Sequence, residues 1–282
     1  MYILFDVGGT KTRVASSDDL YVITKILKFD TPLVYHEGIK KIKEAIENLQ
    51  DGKAVTAIAG GIRGPLNYQK TGIVSDTKLL DWVGRSLVDD LKKEYLVPIF
   101  LENDTALVGL GEVTFGAGKG YDIVAYHTVS TGVGGARFVR GRLDVASIGF
   151  EPGHQIIDID RSLLGPHVSP TLENLISGTA LEKRRGVKPY AIAQADHVWN
   201  QFALYLASGS KNTIVYWSPD IIVLGGSMIV GDPRIPLESI QIHTKELLGD
   251  LIPCPKIVDA LLKDEGGLYG AMALIHDKLS NT

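Results

Sequence analysis

Apolar residues cluster along this chain in two rhythms, short unbroken runs and helical stripes. Ile3, Leu4 and Phe5 form a run bounded by Asp6 and Val7, which predicts a buried strand over residues 2–7. Gly8-Gly9-Thr10-Lys11-Thr12 then reads as a tight turn leading back into Arg13-Val14-Ala15. Over residues 36–50, Ile39, Ile42, Ile46 and Leu49 recur at helical spacing with Lys and Glu between them, predicting an amphipathic helix. Residues 55–59 predict a short strand ending in a loop at Gly60-Gly61-Ile62-Arg63-Gly64-Pro65. Residues 86–95 read as helix and 97–101 as a buried strand. After that strand Glu102-Asn103-Asp104 opens a helix rich in Ala, Leu and Gly that runs to about Val113.

Phe115-Gly116-Ala117-Gly118-Lys119-Gly120 is the most linker-like stretch of the first half and marks a lobe boundary. A strand over 123–128 follows, then a second glycine turn, Thr131-Gly132-Val133-Gly134-Gly135, a strand over 136–139 and a reverse turn at Arg140-Gly141-Arg142. Ala195, Val198, Phe202 and Leu206 outline a helix within 191–217, stopped by Ser218-Pro219-Asp220 before a strand at 221–224 that breaks at Gly225-Gly226-Ser227. Leu268, Ala271, Met272 and Ile275 outline a last helix. Hairpins alternating with helices in two comparable halves indicate an α/β protein with two similar lobes.

Composition narrows the function classes. With 282 residues, 45% apolar and 22% charged, the chain has material for two medium domains and is not intrinsically disordered. Twenty-nine Lys and Arg against 33 Asp and Glu give a net charge of −4 without a basic block, which argues against a nucleic-acid partner. The one cysteine, Cys254, cannot form an intramolecular disulfide or a cysteine-based metal site, so a reducing cytoplasm is expected. The first residues lack a basic leader and meet Asp6 after four apolar residues, and no apolar run is long enough for a membrane span.

Asp6 at the end of a buried strand, next to glycines whose bare amides let an anion approach, suits a metal-bound phosphate; it also suits a plain hairpin turn. The turn at Thr131-Gly132 has the same two readings, and one such turn per lobe favours two loops serving one nucleotide. Neither has the glycine and lysine spacing of a P-loop, nor that of a dinucleotide fingerprint. Asn103-Asp104 is equally a helix cap and a base with an orienting amide for a sugar hydroxyl. Glu151, His154 and Glu173 carry no strong signal by themselves.

Together these motifs resemble the ROK family of sugar kinases and sugar-responsive repressors, within the actin-like ATPase and sugar-kinase superfamily. Residues 5–11 resemble its first phosphate loop, 131–135 its second, 219–227 its adenosine segment, and 102–106 with Gly111-Glu112 its sugar segment. The likeness continues through Glu151-x-Gly153-His154, Leu172-Glu173 and residues 177–181. The resemblance implies a two-lobed actin-like (ribonuclease H-like) fold with an interdomain cleft, a small lobe of residues 1–115 plus about 266–282, and a large lobe of 116–265. It implies a homodimeric, ATP- and Mg²⁺-dependent hexose kinase of the glucokinase kind. Asp104 would be the general base, with Gly60, Gly61, Asn103, Asp104, Glu151, His154 and Glu173 binding the sugar. The nucleotide would meet Asp6, Gly8, Gly9, Thr10, Lys11, Thr131, Gly132, Gly225 and Gly226, with Asp6 holding the metal through water.

Two departures stand out. The family's zinc-binding cysteine cluster is replaced by Leu164-Gly165-Pro166-His167 and Pro170-Thr171, so no structural zinc is expected. Asp76-Thr77-Lys78-Leu79-Leu80-Asp81 replaces the family's asparagine-containing loop before Trp82. Lys78 there is either a solvated lysine or a contact for an acidic or phosphorylated sugar. A sugar-binding regulator and a kinase that has lost turnover compete with this reading. Against the first, family repressors carry a DNA-binding domain before the first phosphate loop, which here begins within ten residues of Met1. Against the second, Asp6, Asp104 and Thr131 are intact. ATPases that activate radical dehydratases share the first loop but need cluster-binding cysteines.

Overall fold

The computed structural model of the chain describes residues 1–146, 149–250 and 252–280. It divides into two compact units, Met1–Phe115 together with the C-terminal stretch from Asp264, and Gly116–Lys263. In chain order the first unit contains β1 (Tyr2–Val7), β2 (Lys11–Ser17), β3 (Lys25–Asp30), α1 (Tyr35–Gln50), β4 (Ala57–Ile62), α2 (Leu87–Lys92), β5 (Ile99–Asn103) and α3 (Asp104–Thr114). The second contains β6 (Ile123–Val129), β7 (Val133–Val139), β8 (Arg142–Leu143), α4 (Leu172–Ile176), α5 (Gly178–Arg185) and α6 (Val198–Trp217). It continues with β9 (Ile221–Gly225), α7 (Ser227–Val230), α8 (Leu237–Leu248) and β10 (Lys256–Asp259), after which α9 (Gly266–Ser280) returns to the first unit.

The two sheets have one topology. The first is ordered β3-β2-β1-β4-β5, with β1, β2 and β3 antiparallel and β1, β4 and β5 parallel. The second, β8-β7-β6-β9-β10, repeats this pattern strand for strand. Two similar α/β lobes are what the alternation of hairpins and helices predicts. The central strands are continuous apolar runs because both faces are covered: Ile3, Leu4 and Phe5 in β1 and Ile222, Val223 and Leu224 in β9 are fully buried. The stripe Ile39, Ile42, Ile46 and Leu49 of α1 packs into the first core.

The structure moves several expected boundaries. β4 runs through Gly60-Gly61-Ile62, which the sequence suggests as loop, pairing Phe5 with Gly60 and Asp6 with Gly61. A Cβ at Gly60 would collide with the Phe5 ring, so this glycine serves close packing inside a strand. Gly134 and Gly135 likewise belong to β7, shortening the second turn to Ser130-Thr131-Gly132. α6 starts at Val198, where the Asp196 carboxylate accepts the Val198 N–H at 2.9 Å.

Helices α3 and α9 cross without room for a methyl group, since a Cβ at Gly270 would collide with the Leu107 carbonyl. Gly270→Ala must therefore displace backbone, and its expected cost is roughly 1–3 kcal/mol or more. A melting curve indistinguishable from the wild type would refute that close approach.

Candidate active site

The carboxyl ends of β1, β4 and β5 bring the first unit's polar residues to one edge. Asp6 on β1 pairs with Gly61 on β4, and Gly61 with Glu102 on β5, so the chain leaves the sheet there at Gly8, Arg63 and Asp104. In open parallel sheets this edge is where ligands bind. Gly8 N–H donates to the Lys11 carbonyl at 3.0 Å, closing the first turn, while Arg63 N–H donates to the Val7 carbonyl at 3.1 Å.

Asp6 has a side chain only 15% exposed, with Arg13 Nη1 at 3.4 Å. Burial raises its carboxyl to about 6; the charges of Asp104 and Asp264 add to the rise and Arg13 opposes it. Arg13 also donates to Asp264 at 3.1 Å, and the start of α9 lies against Asp6, a Cβ at Gly267 falling 3.0 Å from its Cγ.

Asn103 is the N-cap of α3. Its Oδ1 accepts the Ala106 N–H at 3.2 Å and its Nδ2 donates to the Gly64 carbonyl at 3.1 Å, so both side-chain atoms of Asn103 hold structure. Asp104, the first residue of α3, is partly buried, and its Oδ1 accepts the Thr105 N–H at 2.7 Å. Desolvation lifts its carboxyl above the ordinary range and Asp76 adds to this, against the lowering pull of the Thr105 donors and of Arg63. Glu102, next in line, is buried; it pairs with Lys70 and accepts the Asn103 N–H at 3.0 Å.

The sequence did not reveal a cationic patch over the first turn. A Cβ at Gly9 would collide with Arg63 Nη1 and lie 3.1 Å from Lys78 Cδ. Lys78 Nζ donates to Thr10 Oγ1 at 2.6 Å, whereas Lys11 Nζ is paired with Asp30 at 2.5 Å. Asp76 anchors the patch, with a side chain 2% exposed that accepts Arg63 Nε at 2.7 Å and the N–H groups of Lys78 and Leu79 at 2.5 and 2.9 Å. Burial pushes the Asp76 carboxyl up, but these donors outweigh it and hold it below the usual range.

In the second unit the turn at Thr131-Gly132 is clasped from two helices. Val133 N–H donates to Glu173 Oε2 at 2.8 Å, and Gly178 and Thr179 N–H donate to the carbonyls of Ser130 and Thr131 at 2.7 and 3.3 Å. Pro152-Gly153-His154 forms a single helical turn against β7, Gly153 fitting tightly on the Val133 carbonyl while Glu151 and His154 face outward. Gly225 is buried on the Tyr126 hydroxyl, and Gly226, with φ +88°, lies against the Val129 carbonyl. Close packing thus accounts for part of this glycine pair.

A duplicated five-stranded sheet with a glycine turn after the first strand of each unit defines the class, the two-lobed actin-like fold of sugar kinases and related ATPases. The sequence matches the ROK family over residues 2–278, and the chain belongs to that family. It is 30% identical to a fructokinase of Lactococcus lactis subsp. cremoris, covering 93% of this chain and 90% of that one. It is 26% identical to a glucokinase of Thermotoga maritima, covering 97% and 96%. Among solved structures, a ROK family glucokinase from Streptomyces griseus in complex with glucose and AMPPNP superimposes with a TM-score of 0.78 at 25% identity, covering 97% and 98%.

The residues fit a magnesium–nucleotide ligand. Among the described residues no group of three or more His, Cys, Asp or Glu side chains converges as a protein-built metal cage would require. Mg²⁺ instead commonly uses one or two carboxylates together with substrate phosphates. Asp6, whose carboxyl burial lifts to about 6 beside the first glycine turn, is a carboxylate whose ionised form such a cation would favour. Among the described residues, no helix is long and apolar enough to cross a membrane.

Proposed function

We propose that this protein is an ATP-dependent sugar kinase that transfers the terminal phosphoryl group of ATP to a hydroxyl of a hexose, fructose and glucose being the first candidates. The observation that carries the reading is the Asp104 carboxylate, lifted by desolvation at the same strand edge as Asp6 and the first glycine turn. The identities of the relatives support the reaction class.

Asp104 takes the proton from the sugar hydroxyl as its oxygen forms a bond to the γ-phosphorus. The bond from that phosphorus to the bridging oxygen breaks, and ADP leaves. Phosphoryl transfer asks mainly for positioning and charge neutralisation. Gly8, Gly9, Thr10 and Lys11 hold phosphate in the first unit. In the second, Thr131 and Gly132 are assigned to phosphate and Gly225 and Gly226 to the adenosine moiety. Asp6 is the residue to hold Mg²⁺ through water, and the ion supplies neutralisation of phosphate charge. Asn103 fixes the start of α3 and hence Asp104; Gly60 lets β4 lie close on Phe5 of β1, and Gly61 lets the start of α3, with Asp104, lie close on β4. The family resemblance adds Glu151, His154 and Glu173 to sugar binding, no structural zinc, and a cytoplasmic homodimer. Sugar-dependent release of ADP tests the reading.

Because the Lys78 ammonium is spent on Thr10, Lys78→Ala is expected to leave the ranking of sugars unchanged. Substrate profiling that shows a changed ranking would place Lys78 in the sugar pocket instead.

A further inference from the structure

Arg63 lies where β4 leaves the sheet, and three separate contacts fix it. Its N–H is tied to the Val7 carbonyl at 3.1 Å, its Nε to the nearly inaccessible Asp76 carboxylate at 2.7 Å, and its guanidinium covers Gly9 so closely that a methyl group there would strike Nη1. The Nε anchor sets the plane of the guanidinium. Nη1 and Nη2 donate no hydrogen bond to the described residues, and the side chain remains 30% exposed. A guanidinium held by one edge presents its other nitrogens as a rigid pair of donors matched to phosphate oxygens. Its charge acts on Asp104 as well, and β4, which leads into it, lies between β1, which leads into the glycine turn, and β5, which leads into Asp104. The group that passes between those two places in a kinase is the one being transferred.

We propose that Arg63 is a catalytic residue whose Nη1 and Nη2 bind the terminal phosphoryl group of the nucleotide, and that Asp76 is its positioning residue. The proposal rests on the kinase reading. As the phosphoryl group moves, its oxygens carry the charge that the guanidinium faces, which makes the contact stronger in transfer than in ground-state binding.

Calorimetric binding of Mg²⁺-AMPPNP and Mg²⁺-ADP to the wild type and to Arg63→Met tests this without turnover. Loss of a charge-assisted contact to the third phosphate should weaken AMPPNP roughly ten- to a hundredfold while ADP changes less than about threefold. Arg63→Lys guards against misfolding and should recover part of the AMPPNP affinity, and Asp76→Asn should give a milder loss with the same selectivity. In steady state, Arg63→Lys should lower kcat at least about tenfold with sugar KM within twofold. Equal losses for the two nucleotides, or none, would overturn the role of Arg63 while leaving the kinase reading intact. A wild-type protein that binds neither nucleotide would remove the kinase reading, and this proposal with it.

Discussion

Asp104→Asn is expected to lower turnover by roughly 10²–10⁴-fold, the usual loss when a positioned base is removed. The substitution suits the site because the acceptor that holds the Thr105 N–H at 2.7 Å survives as the amide oxygen, so the start of α3 is preserved. Sugar binding by calorimetry should stay close to that of the wild type, and the melting temperature should not fall, since the desolvated carboxylate is removed; this separates loss of chemistry from loss of structure. The pH profile gives a second readout. Since desolvation lifts the Asp104 carboxyl above the ordinary range, the wild-type rate should rise with pH through a midpoint higher than a solvated carboxylate would give, and this limb should vanish in the variant. An Asp104→Asn enzyme within tenfold of the wild type would reject Asp104 as the base.

Asp6→Asn should damage function and improve stability together. Loss of the carboxylate that holds the metal is expected to cut turnover by roughly 10²-fold or more, the scale of removing one preorganised electrostatic group. Stability moves the other way because the folded protein raises Asp6 from 3.8 to about 6. A folded state that binds the proton more tightly is favoured below about pH 4, and that contribution is lost as pH rises through about 6. The shift corresponds to at most about 3 kcal/mol. Without ligand, Asp6→Asn should therefore melt a few degrees above the wild type at pH 7.5 and level with it at pH 4. Saturating Mg²⁺-ATP should narrow the gap at pH 7.5 by stabilising only the protein that binds it. A variant less stable than the wild type at pH 7.5 would show that Arg13 and the start of α9 depend on the charge of Asp6 rather than suffer from it.

Much of this architecture was legible because its central strands are unbroken apolar runs and its core helices carry clean stripes. The repeated turn after β1 and β6 marks two similar halves in the sequence itself. Two edge strands were not legible, although the edge strand β5 was: β3, Lys25–Asp30, exposes Lys25, Lys28 and Asp30, and β10 is four residues long with a lysine and an aspartate at its ends. Such strands are protected from further pairing by charge, which erases the apolar signal. Glycine misleads at Gly60-Gly61, where it means close contact, of Gly60 with the Phe5 ring and of Gly61 with Leu107 and the Asp104 backbone, rather than a loop. At the site, Asp6 and Asp104 were visible because each ends or follows a buried strand. The patch of Arg63, Asp76 and Lys78 was hidden, since these residues meet only when the chain after β4 folds back over the Gly8-Gly9 turn.

The central claim is sugar phosphorylation with Asp104 as base, and ADP release from Mg²⁺-ATP tests it most directly. The assay runs across fructose, glucose, mannose, N-acetylglucosamine, N-acetylmannosamine and allose, with Asp104→Ala alongside. The account predicts release that depends on at least one of these sugars and disappears in the variant. Sugar-independent release, or none from folded protein that still binds nucleotide and sugar, would contradict it.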